Sequence, residues 1–162
     1  MGNERVIEKI RECRDVAKLR IWKENAQRHG ADDVERAAFA QLVSVMPEAA
    51  SGTLDHALWQ TVHTIEEMRR EERGKSSPMH RTRPKIKRVG VKQTLIDWAL
   101  GPKETDEFSI LLDRGMLHLA GEAIVLRFPD QFEPNVLAAA RSRFEKKGMT
   151  VAEIQALIDW RG

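Results

Sequence analysis

The chain is poor in cysteine and in long apolar runs, and through its middle it is poor in both aromatic and acidic side chains. One cysteine, Cys13, permits no internal disulfide and cannot by itself assemble a zinc site. No apolar stretch approaches the roughly 20 residues that cross a bilayer, so a cytoplasmic protein with no membrane partner is expected. The opening residues MGNERVIEKIRECRD thread charges through their apolar positions, unlike a secretory signal. Val6 stands where a myristoylation motif needs Ser or Thr. Between Trp59 and Trp98 there is no Phe, Tyr or Trp. That gap removes the stacking platform on which single-stranded nucleic acid is held. From residue 74 to 92 the sequence GKSSPMHRTRPKIKRVGVK holds seven Lys and Arg and no acidic residue.

What is present is a globular composition. Of 162 residues, 41% are hydrophobic and 32% charged, enough for one ordinary domain or two small helical ones with extensive solvated faces. The net charge of +2 conceals an uneven distribution. Residues 1–68 carry −3, residues 69–92 carry +8, and residues 93–162 carry −3. A positive field gathered into one segment between two acidic ones is the strongest functional signal in the chain.

The apolar periodicity is helical almost throughout. Asn3 is positioned to cap a long first helix on which Val6, Ile10, Cys13, Ala17 and Ile21 recur at spacings of three and four, ending near His29-Gly30. Asp32 or Asp33 then caps a second, with Val34, Ala37, Ala38, Leu42 and Val45 on one face and Pro47 just beyond its end. A third starts at Thr53 and carries Leu54, Leu58, Val62, Ile65 and Met68. Facing stripes predict an N-terminal three-helix bundle over residues 1–73. A basic linker follows over 74–83, rich in Gly, Ser and Pro.

Residues 84–162 read as a C-terminal multi-helix domain. Pro84 opens a short helix PKIKRV that Gly90 terminates, and VKQTLIDWAL continues to Gly101-Pro102. Pro134 opens a later helix, and Thr150 and Glu153 sit at capping-box spacing before the last. AIVLRF has strand-like β-branching, but an isolated strand has no partner here, so helix is preferred. The expected fold class is all-α.

Motifs for chemistry are scarce. GKSS at 74–77 lacks the glycine a phosphate loop needs five residues upstream, where Arg69 stands. His56 and His63 are two turns apart, about 10 Å along a helix, with no carboxylate between them. His29 is read as a helix-end residue. Asp130, Glu133 and Glu122 are acids placed suggestively for metal-assisted hydrolysis, and no tight Glu-x-Lys follows the Pro129-Asp130 pair. Asp130 and Glu133 are read as opposing a helix dipole, and Cys13 as an inert core residue. No catalytic motif and no cofactor are expected.

The basic segment carries the functional expectation. Around Gly90 the spacing of Val89, Val91, Ile96 and Ala99 resembles the helix-turn-helix motif over residues 84–100, with Ile86 where the motif usually has a small residue. The resemblance implies that KQTLIDWAL is presented to a DNA major groove, with Leu95, Ile96, Ala99 and Leu100 facing inward and Trp98 at the boundary. Lys92, Gln93 and Thr94 would then reach base edges or phosphates, and Lys75, Arg81, Arg83, Lys85, Lys87 and Arg88 would neutralise phosphates. The leading expectation is a duplex-DNA-binding regulator or accessory factor. The alternative, from another class, is a helical protein-interaction module or oligomerising adaptor without nucleic-acid binding, pairing with a second copy or another protein through its N-terminal helices.

Overall fold

A helix needs one apolar stripe, two caps and something to pack on, and the chain supplies these repeatedly. The computed structural model describes residues 2–161, which form α-helices, turns and loops and no strand. In chain order the helices are α1 Gly2–Glu12, α2 Val16–His29, α3 Asp32–Val45, α4 Leu54–Arg73, α5 Thr82–Leu100, α6 Asp106–Asp113, α7 Gly121–Arg127, α8 Pro134–Glu145 and α9 Val151–Asp159. Short 3-10 turns occupy Leu117–Leu119 and Pro129–Gln131. No helix among the described residues is long and apolar enough to cross a membrane.

The described residues divide into two compact units, 2–48 and 49–161. In the first, α1 and α2 both pack on α3. The single long helix expected from the periodicity is two helices. Asp15 takes extended dihedrals and its carboxylate accepts the Lys18 N–H at 3.2 Å, so α2 starts afresh there. The Gln41 side chain closes the break by donating to the Cys13 carbonyl at 2.8 Å. Restarting the helix resets its phase. Leu19 and Ala26 join Ile10, Val34, Ala38 and Leu42 in the core, whereas Ala17 is exposed and Ile21 is 57% exposed. Asn3 lies inside α1 rather than capping it, and its amide donates to the Asp33 carboxylate.

In the second unit α7 is the centre. All six residues from Gly121 to Leu126 are buried, so this helix, apolar but for Glu122 and Arg127, lies inside the core. Helices α4, α5, α8 and α9 pack around it. The β-branched AIVLRF stretch is therefore helical, as preferred. Gly121 is there because a Cβ would sit 2.7 Å from the Trp98 ring. The stripe Leu54, Leu58, Val62, Ile65 and Met68 is buried as its spacing required. Its helix nevertheless belongs with the C-terminal elements, since α4 packs against α5, α7 and the Leu117–Leu119 turn. The Thr61 hydroxyl fixes that turn by donating to the Leu119 carbonyl at 2.5 Å. The unit boundary thus falls before α4 rather than after it. An apolar stripe says that a helix is covered, not by what.

Later elements start where their caps dictate. Thr105 caps α6, Pro134 opens α8, and Thr150 and Glu153 form the reciprocal capping box at 3.1 and 3.0 Å. Arg127 ties the end of α9 down, donating to the Leu157 and His118 carbonyls with its guanidinium over the Trp160 ring at 5.1 Å.

Candidate nucleic-acid interface

Gly90 divides α5 into two helices. Its dihedrals, φ 88° and ψ 168°, lie in a region essentially reserved for glycine, so the helix cannot run through it. The bend is sharp. In a straight helix Lys85 and Asp97 would be about 18 Å apart along the axis; here the Lys85 ammonium meets the Asp97 carboxylate at 2.9 Å. Asp97 also accepts from the Gln93 amide at 2.8 Å, and the Thr94 hydroxyl donates to the Gly90 carbonyl at 2.8 Å. These contacts hold the two limbs at a fixed angle. The bonds from Lys85 and Gln93 keep the Asp97 carboxyl below its usual range. Since a Cβ at Gly90 would touch nothing, Gly90→Ala tests backbone strain alone. A loss of about 1–3 kcal/mol is expected in urea-unfolding stability; an unchanged midpoint would mean that the bend is not imposed there.

The apex of this bend is solvent-facing and positive. Lys87, Arg88, Val89, Gly90, Lys92 and Gln93 are all exposed, while Ile86, Val91, Leu95, Trp98 and Ala99 are buried beneath them. Of the four side chains expected to face inward, Leu95 and Ala99 are buried, Ile96 is half-buried and Leu100 is exposed; Trp98, expected at the boundary, is buried.

The stretch 74–83 is not the tether its composition suggests. Met79 is buried, α5 already begins at Thr82, and Glu66 on α4 collects three hydrogen bonds from this stretch. Its carboxylate accepts the Met79 N–H at 2.8 Å, Arg83 Nε at 2.6 Å and Arg83 Nη2 at 2.5 Å. The Arg83 guanidinium also lies over the Trp59 ring at 5.2 Å. Burial works to raise the Glu66 pKa, but the bonds from Arg83 and Met79 outweigh it and leave the carboxyl below its ordinary value.

The nine residues singled out from sequence thus separate. Lys75, Arg81, Lys87, Arg88 and Lys92 are exposed, and among the described residues none has an ion-pair partner. Arg83 and Lys85 are occupied by Glu66 and Asp97. Gln93 is exposed with its amide engaged by Asp97. Thr94 is fully buried, so its side chain cannot reach a partner molecule. Trp59 and Glu66 are not legible as partners in the sequence, because each meets the basic segment only through the tertiary fold.

A second polar cluster lies inside the same unit. Glu122 is 1% exposed, neither of its oxygens has a hydrogen-bond partner, and Arg143 Nε stands 3.6 Å away. Burial pushes the Glu122 carboxyl up to about 7, against an opposing pull from Arg143. Arg143 Nη2 meanwhile donates to the carbonyls of Trp98, Ala99 and Gly101, capping the end of α5. A cleft of about 240 Å³ beside it is lined by Gly101, Pro102, Ser142, Arg143 and Lys146. Its arginine already serves backbone carbonyls, so the cleft is no ready anion pocket. Asp130 and Glu133 are exposed and do not join Glu122. Among the described residues no three His, Cys, Asp or Glu side chains are grouped to hold a metal.

No protein-family model, curated protein or solved structure matches the chain.

Proposed function

We propose that the protein binds duplex DNA through its phosphates, using the bend around Gly90 as the contact surface. The observation that carries this reading is the apex itself, where Lys87, Arg88 and Lys92 project with no acidic partner among the described residues. Lys75 and Arg81 are further exposed cations, on the loop before α5. Cations without internal partners gain most by displacing counterions from a phosphate backbone. Base reading is a minor part of this picture. Thr94 is buried, Asp97 occupies the middle of the exposed face of the second limb, and Gln93 is bound to it. The contacts are therefore expected to position without specifying.

The direct test is binding of a labelled random-sequence 20-base-pair duplex at low ionic strength, with the matching single strand as competitor. Saturable binding that duplex competes for better than single strand supports the reading. No binding at low salt, or preference for single strand, overturns it. On the N-terminal helices the adaptor reading has the exposed Ile21 behind it, and isolated apolar side chains on a surface are ordinary.

A further inference from the structure

We propose that Glu66, an acidic residue, strengthens polyanion binding because it positions the basic loop; this rests on the duplex-binding reading above. The loop of residues 74–81 has no stiffness of its own, being built from Gly74, Ser76, Ser77 and Pro78 among basic residues. Besides the Arg73 guanidinium, which donates to the Ser77 hydroxyl at 2.5 Å, two anchors fix it from outside. Met79 is plugged into the core, and the Glu66 carboxylate takes the Met79 N–H together with two donors of Arg83. Trp59 supports the guanidinium from its face, and His63 lies 3.9 Å from the carboxylate.

This clamp joins residues 13 and 17 positions apart in sequence, and the exposed Lys75 and Arg81 lie on the stretch of chain it closes. Held in place, those two cations meet a phosphate backbone without first losing loop entropy, which is how preorganisation raises affinity. Plain electrostatics gives the opposite sign. Deleting a negative charge beside a polyanion site, and releasing Arg83, would tighten binding. The two views therefore predict opposite responses to one substitution, Glu66→Gln.

Two readouts separate the clamp from the duplex reading. Limited trypsin digestion at Lys75 and Arg81, without nucleic acid, reports the loop alone. Glu66→Gln is expected to speed that cleavage about tenfold, by the loss of charge-assisted bonds that hold a locally unfolding segment. Arg83→Gln, which keeps Glu66, is expected to do the same and serves if the first variant does not fold. Affinity for the random 20-base-pair duplex at 0.1 M salt is expected to fall about three- to tenfold in Glu66→Gln. Unchanged cleavage in both variants overturns the clamp. Faster cleavage with equal or tighter duplex binding overturns the positioning role while leaving the duplex reading standing. Failure of the parent protein to bind duplex overturns both.

Discussion

Glu122→Gln is expected to raise the stability of the folded chain at alkaline pH and to flatten its pH dependence. In the parent protein the Glu122 carboxyl is held near pH 7, above an ordinary value of 4.5, because it is buried with no donor on either oxygen. The folded state therefore retains a proton that the unfolded chain has released above pH 4.5. Stability contributed by this group is greatest in acid and is lost as pH rises through about 7. Between pH 5 and pH 8 the loss amounts to about 2–3 kcal/mol. Glutamine cannot ionise, so the gap between variant and parent should widen by that amount over the interval. Arg143 keeps its three carbonyl acceptors in the variant. His118, whose pKa is lowered by burial and by Arg127, titrates in both proteins and cancels in the comparison. Urea midpoints at half-unit pH steps provide the check, and parallel profiles would show that Glu122 is not the titrating group.

The second large effect concerns the apex. Replacing Lys87, Arg88 and Lys92 together by Ala should weaken duplex binding by about 10²–10³-fold at 0.1 M salt, since each lost phosphate contact forfeits roughly one released counterion. The loss should be the same for duplexes of unrelated sequence. Stability should move by no more than about 0.5 kcal/mol, because all three side chains are exposed and unpaired. Fluorescence anisotropy on two unrelated duplexes measures the first expectation and a thermal melt the second. A loss confined to one duplex would mean that these residues read bases.

Much of the helical content was legible because caps and apolar spacing are local signals. Thr105, Pro134, Thr150 and Gly90 each act on the few residues beside them, and each element starts or breaks where they stand. Asp15 is a local signal too, as the N-cap of α2. It restarts the helix in mid-stripe, and a continuous spacing from Val6 to Ile21 masks that restart. What spacing cannot encode is the partner of a stripe, which is why periodicity alone groups α4 with the helices before it although it packs with those after it. The same limit applies to the basic segment. Its composition reveals the charge, but which cations remain available depends on Glu66 and Asp97, 17 and 12 residues from Arg83 and Lys85 respectively. Burial of Thr94 likewise follows from the angle of the bend, which no run of residue types specifies.

The salt dependence of duplex affinity, measured for the parent chain and for the triple apex variant, bears most directly on the phosphate-binding role of the Gly90 bend. A linear fall of log affinity with log salt is expected for the parent. The slope should be shallower by about 3 in the variant, one counterion for each cation removed. Equal slopes in the two proteins, or an affinity that salt does not alter, would contradict the assignment of duplex binding to Lys87, Arg88 and Lys92.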